Sequence, residues 1–277
     1  MSERKSILCP NCRKLISMDE PSCPYCGLKR PGLHNTASAV RNIFFGTNPV
    51  MAIIYINVAY YFLSLILGGI ANDGSFNFLS PSNQSLFLLG ASGTYPVIVE
   101  HRFWTLISAS FLHGSIFHIG FNMMALYQLG PFILREFGFH RFINLYIITG
   151  ACGFAASVIF GVPFTIGASA SVCGLIGAII YYGKSRGGSY GEAIYKQAMG
   201  WVIGLIFFGL IFPGIDNWAH GGGLLSGIAL SFLMGYNDNK QETAWNKLLA
   251  YACILLTAAI LIWAVISSLL TGRGIVI

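Results

Sequence analysis

Phe142 to Gly183 reads FINLYIITGACGFAASVIFGVPFTIGASASVCGLIGAIIYYG, 42 residues without an Asp, Glu, Lys or Arg. About 20 apolar residues cross a hydrocarbon core of roughly 30 Å, so the stretch is too long for one crossing. Gly161-Val162-Pro163 divides it, because a proline ring and its missing N–H interrupt a helix. Outward from this pair, further uncharged runs extend over Thr47–Asn72, Phe103–Leu134, Gln197–Ile215, Asn217–Asn237 and Leu248–Gly272. The expectation is seven spans in an all-α polytopic membrane protein. The 277 residues are 55% hydrophobic and 9% charged, which excludes an ordinary soluble domain.

Lys and Arg set the orientation of such a chain, since cytoplasmic loops retain them. Arg4, Lys5, Arg13, Lys14, Lys29, Arg30 and Arg41 precede the first span. With that tail inside, alternation also puts Arg135, Arg141, Lys184, Arg186, Lys196, Lys240 and Lys247 inside, leaving Arg102 and Arg273 outside. Fourteen against two predicts a cytoplasmic N-terminus and an outer C-terminus. The net charge of +6 is then topology signal and lipid-headgroup attraction, and gives no reason to expect nucleic acid as a partner. No short apolar leader segment precedes the first span, which points to a bacterial plasma membrane.

The tail holds Cys9-Pro-Asn-Cys12 and Cys23-Pro-Tyr-Cys26-Gly27, two C-x2-C pairs ten residues apart. Four thiolates at this spacing suit a closed tetrahedral zinc site, and so short a segment depends on its metal for folding. Disulfides are the alternative, disfavoured in a reducing cytosol. The site is expected to be structural, with no open position for catalysis, and to serve docking to a cytoplasmic partner or regulation. Cys152, Cys173 and Cys253 lie in spans and read as small packing residues.

Polar groups inside a bilayer are costly and mark function. At about 1.5 Å rise per residue, Asn122 stands roughly 20 Å and His118 roughly 25 Å above the inner Arg135. Ser169 comes early in the inward-running fourth span, and His220 three residues into the sixth. A hydroxyl, two imidazoles and an amide thus share the outer half of the membrane. His118 and Asn122, four apart, share one helical face, whereas His113 falls off it and is expected at or above the membrane surface. The blander reading of a lone serine in a span is packing, with its hydroxyl bonded to its own helix. Two imidazoles at the same depth favour a site.

These residues resemble the rhomboid intramembrane proteases. Gly167-Ala168-Ser169-Ala170, followed by Gly174 and Gly177, is similar to the family's G-x-S-G motif and the glycine-rich helix behind it. Ala219-His220 with Gly223 and Gly227 resembles its A-H-x-x-G-x-x-x-G span, His113, His118 and Asn122 its H-x4-H-x3-N pattern, and Trp104 its first-loop W-R pair. The resemblance covers about Trp104 to Gly227. It implies Ser169 as nucleophile, His220 as general base, and His118, Asn122 and the Ser169 N–H as oxyanion donors, with His113 in support. No Asp or Glu lies within a span, so a dyad is expected, and no cofactor is needed for catalysis. Gly223 and Gly227 are expected to bring the sixth helix close to the fourth. Ala170 replaces the motif's second glycine, where a positive φ would be strained; Cys173 stands where the family often has an aromatic against the base; Thr105 follows Trp104 where arginine is usual.

The organisation this implies is a zinc ribbon at 1–34, a basic linker at 35–48, a rhomboid-like six-helix core at 49–236, and a linker with the seventh helix at 237–277. The expected function is serine endopeptidase action on peptide bonds in or near transmembrane segments of single-span or polytopic membrane proteins. The fifth span is the substrate's lateral gate by resemblance, and the Asp73 to Arg102 loop a lid or interfacial element. The rivals are an inactive relative that binds client transmembrane segments, and a channel or transporter, for which neither pore-lining charge nor internal repeats are found.

Overall fold

The computed structural model describes residues 6–9, 14–28, 31, 48–68, 79–212, 214–238 and 242–271. The chain divides into two compact units, Met1–Ala52 and Ile53–Ile277. In the first, β1 (Ser6–Leu8) and β2 (Leu15–Ser17) pair antiparallel, with Ile7 opposite Ile16.

Beyond it the described chain is helical: α1 (Pro49–Gly68), α2 (Asn83–Leu88), α3 (Thr105–Ser108), α4 (Ile116–Phe137), α5 (Phe139–Ile159), α6 (Ser169–Arg186), α7 (Gly188–Ile211), α8 (Asn217–Met234) and α9 (Ala244–Thr271). Among the described residues α1, α5, α7 and α9 are long and apolar enough to cross a membrane. The architecture is that of a polytopic all-α membrane protein. The long helices below that threshold, α4, α6 and α8, carry His118, Asn122, Ser169 and His220, and α6 and α8 also hold the close-packed glycines Gly174, Gly177, Gly183, Gly222, Gly223 and Gly227. Polar and glycine content lowers hydropathy in the helices that build the interior.

The uncharged run Phe103–Leu134 does not form one helix, as its length suggested. It opens with α3 and a 3₁₀ turn at Ala109–Phe111, extends at Leu112, and becomes α4 only at Ile116, where Ser115 Oγ caps the His118 N–H at 3.2 Å. His113 therefore precedes the helix.

α6 is the hub, packed against α4, α5, α7 and α8. α8 seats on it through Gly223 and Gly227: a Cβ at either would fall 2.1 Å from the carbonyl oxygens of Ala170 and Gly174 respectively. No side chain fits there, so the helix backbones meet directly. Single glycines in the left-handed region, Gly138 and Gly187, join α4 to α5 and α6 to α7.

α9 lies along α5. Asn144 Nδ2 donates to Asn246 O at 2.9 Å and His140 Nδ1 pairs with Glu242 Oε2 at 2.8 Å. α7 packs chiefly on α6, and only 6% of its most apolar stretch is buried.

Residues 79–104, which include α2 and a π-helical turn at Tyr95–Val99, lead into α3. Ser92 exchanges backbone hydrogen bonds with Thr165, and Thr94 N donates to Val162 O at 2.7 Å, tying the loop to the segment that leads into Ser169. Arg102 stands two residues before Trp104. Its guanidinium lies 4.7 Å from the Trp104 ring centre and 4.5 Å from that of Phe87, and donates to Leu88 O at 3.2 Å.

Candidate active site

Ser169 is the first residue of α6, so its N–H is among those with no partner inside the helix. Gly167, at φ +125°, turns the chain into it, and Gly167 N donates to Ala109 O at 2.9 Å. Ala170 is the second helical residue and does not have a positive φ, so replacing glycine there costs no backbone strain. Its methyl group joins Ala109, Phe154 and Ala219 in a buried cluster that draws α5, α6 and α8 together beneath the serine.

His118, in the first turn of α4, faces this turn. A Cβ on Gly167 would lie 2.6 Å from His118 Nε2 and 3.6 Å from Ser169 Oγ, so both side chains border the same small space. His118 Nδ1 accepts the Gly114 N–H at 3.3 Å, which in the neutral ring assigns the hydrogen to Nε2 and makes that nitrogen a donor. Asn122 is buried and donates one amide hydrogen to His118 O at 3.0 Å, keeping its second.

His113 is wholly buried within the protein. Lying before α4, it folds inward, with its ring centre 5.0 Å from that of His118 and Nε2 accepting the Ala168 N–H at 3.5 Å. It braces the residue preceding the serine.

His220 sits one turn into α8. Its Nδ1 is buried with no hydrogen-bond partner among the described residues, and none of them bonds Ser169 Oγ to His220. The ring shares a cavity wall with Cys173, one turn beyond Ser169.

Asp216 was missed in the sequence because it falls between two uncharged runs. It caps α8: Oδ1 accepts the Ala219 N–H at 3.0 Å and Oδ2 accepts the Ser157 hydroxyl of α5 at 2.5 Å. Its backbone carbonyl accepts the His220 N–H at 3.2 Å. The signal that could have found it is an N-cap residue type immediately before a helical run. Trp218 stacks on Phe160 with ring centres 3.6 Å apart, pinning the same end of α8 to α5.

In the N-terminal unit, the thiol sulfurs of Cys9, Cys23 and Cys26 all lie within 4.8 Å of one another, and those of Cys9 and Cys26 are 3.7 Å apart. A tetrahedral zinc with bonds of about 2.3 Å to sulfur sets its ligands about 3.8 Å apart, so the arrangement suits such an ion and is too open for a disulfide. Cys12 lies outside the described residues.

Residues 100–237 match the family described as Rhomboid domain. The chain is 28% identical to rhomboid protease GluP of Bacillus subtilis over 235 residues, 84% of this chain and 43% of that protein. It is 31% identical to RHOMBOID-like protein 1 of Arabidopsis thaliana over 208 residues, 66% of this chain and 52% of that one. It is 25% identical to Rhomboid-like protease 3 of Toxoplasma gondii over 225 residues, 79% of this chain and 82% of that one. The chain spans about half the length of the first two. These matches support the rhomboid family and, for it, proteolysis of membrane proteins within the bilayer.

Proposed function

We propose that this chain, which carries a rhomboid domain over residues 100–237, is an intramembrane serine endopeptidase with Ser169 as nucleophile and His220 as general base. The observation that carries the reading is the convergence of His118 Nε2 and Ser169 Oγ on Gly167, with His220 held on a helix pressed against α6 at Ala170.

His220 takes the Ser169 proton as Oγ attacks the substrate carbonyl carbon. The developing oxyanion is met by His118 Nε2–H, the free Asn122 amide hydrogen and the Ser169 N–H. The imidazolium then passes its proton to the departing amine as the peptide C–N bond breaks. Water, activated by the same ring, releases the acyl group from Ser169. Asp216 lies beside His220 without bonding its ring, so the pair works as a dyad in the field of a nearby carboxylate.

In this reading all seven long helices cross the membrane, the N-terminus is cytoplasmic, and the site opens toward the outer side. The bilayer is that of a bacterial plasma membrane. Substrates are single-span or polytopic membrane proteins whose helix unwinds locally, because a helical backbone hides its carbonyls in its own hydrogen bonds. α7, the least buried long helix, is the gate. Cys9, Cys12, Cys23 and Cys26 hold a structural zinc in a ribbon that docks a cytoplasmic partner.

That no hydrogen bond joins Ser169 Oγ to His220 among the described residues favours a second reading, a client-binding relative without activity. A tagged single-span reporter separates the two. The wild type cleaves it, while Ser169→Ala and His220→Ala do not. Equal cleavage by Ser169→Ala overturns the proposal.

A further inference from the structure

The β1–β2 hairpin has two unlike faces. Ile7 and Ile16, opposite one another, turn inward and pack with Cys9 and Cys23. Side chains alternate along a strand, so the neighbouring pair, Leu8 and Leu15, turns outward, where the two are 61% and 65% exposed. Polar residues normally fill such a face. The pair stands at the metal end of the hairpin, since Cys9 follows Leu8 and its N–H donates to Lys14 O at 2.9 Å. The second C-x2-C turn is closed in the same way, with Cys23 N donating to Leu28 O at 2.9 Å, and it presents Tyr25, which is also exposed. Lys14 Nζ lies 4.5 Å from the Tyr25 ring centre, so a cation and an aromatic ring join the two leucines at this end. Asp19 and Glu20 follow Ser17, at the other end of β2 from Leu15.

We infer that this tip of the N-terminal unit is a membrane-docking surface, seated on the anionic headgroups of the leaflet from which α1 enters the bilayer. The inference rests on the zinc-ribbon reading and names the partner surface of that ribbon.

The occupant follows from charge, tether and area. Residues 1–48 carry seven Lys and Arg against Glu3, Asp19 and Glu20. A zinc ion with four thiolates adds a net charge of −2, and the balance stays positive. Basic segments beside a membrane span are drawn to acidic lipid. Lys14 is placed to meet lipid phosphate while Leu8 and Leu15 enter the acyl boundary and Tyr25 rests at headgroup depth. Only residues 29–48 separate Leu28 from Pro49, the first residue of α1, a helix long and apolar enough to cross a membrane. At about 3.5 Å per residue their reach is at most about 70 Å, so docking is intramolecular and a weak contact suffices. A protein partner fits less well. Two leucines and a tyrosine fall short of the roughly 800 Å² that each side of a stable protein interface buries, whereas a bilayer demands no matching shape.

The test uses the zinc-loaded full chain in nanodiscs of phosphatidylcholine, alone or mixed with phosphatidylglycerol, and follows amide hydrogen exchange over residues 6–28. Exchange should be slower in the mixed discs, and the difference should vanish at high salt. Each basic charge at such a surface is worth about fivefold in the bound-to-free ratio, so Lys14→Glu, a change of two unit charges, should lower that ratio by about 25-fold. Leu8→Ser combined with Leu15→Ser should also lower it. Zinc content reports whether each variant keeps its fold, since none of the three residues is a ligand. A photoreactive benzoylphenylalanine at position 15 should form adducts with lipid on irradiation of cell membranes. Exchange alike in the two kinds of disc, in zinc-loaded wild type, overturns the inference. So does crosslinking from position 15 to a protein and not to lipid, which assigns the tip to a protein partner. Wild-type chain that holds no zinc overturns the ribbon reading itself and is distinct from either result.

Discussion

His118 Nδ1 accepts the Gly114 N–H at 3.3 Å, and this bond decides which ring nitrogen of His118 can stabilise negative charge at Ser169. With Nδ1 occupied as acceptor, Nε2 carries the hydrogen and points into the space beside Ser169 Oγ. His118→Ala removes that donor and is expected to lower kcat by about 10²–10³-fold, the usual cost of one oxyanion donor. KM changes little, because the interaction is made in the transition state. Steady-state cleavage of the reporter in detergent measures it. Loss confined to KM would contradict the assignment.

Gly227 faces the Gly174 carbonyl at a distance that admits no Cβ. Gly227→Val forces α8 away from α6 and is expected to destabilise the fold by about 1–3 kcal/mol, the range for overpacking. Thermal unfolding in detergent should show a lower midpoint, with Ser169 labelling weakened in parallel as His220 moves off. Gly221, which has open space where its Cβ would fall, serves as the control: Gly221→Ala should leave the midpoint almost unchanged.

Much of this molecule is legible as sequence because a bilayer makes length and charge decisive. The break at Gly161-Val162-Pro163 separates α5 from α6, and the beginning of α8 at Asn217 falls where the uncharged run begins. The illegible parts depend on contacts between distant residues. His113 and His118 look like residues of one helix, yet the helix starts at Ile116, because Leu112 is extended and Ser115 caps α4. The loop before Trp104 looks like a connector, yet Ser92 pairs with Thr165, 73 positions on, a partner that local pattern does not reveal. Arg102, two residues upstream, stacks on Trp104, a contact that the order of residues along the chain does not reveal. Asp216 escaped because a search for acids within spans stops one residue short of α8.

Asp216→Asn separates capping from charge. Asparagine caps a helix about as well as aspartate, so stability should change by only a few tenths of a kcal/mol, whereas Asp216→Ala costs about 1 kcal/mol. Thermal unfolding in detergent measures both variants, and equal losses of stability in Asp216→Asn and Asp216→Ala would exclude the capping role.

Metal removal tests the N-terminal unit independently of the membrane site. Three thiols within 4.8 Å of one another, with Cys12 as the fourth sulfur of the two C-x2-C pairs, predict one zinc per chain. So small a unit gains its folding energy from the metal. A strong chelator should strip the ion, expose the first 30 or so residues to protease and leave the membrane helices intact. Cys23→Ser should lose zinc during purification, because Cys23 is buried at the centre of the cluster with Cys9. Ser169 labelling remains at the wild-type level in both cases, since the ribbon contributes no group to the catalytic steps. Zinc content by elemental analysis and limited proteolysis give the two readouts. Full zinc occupancy in Cys23→Ser would exclude this ligand set.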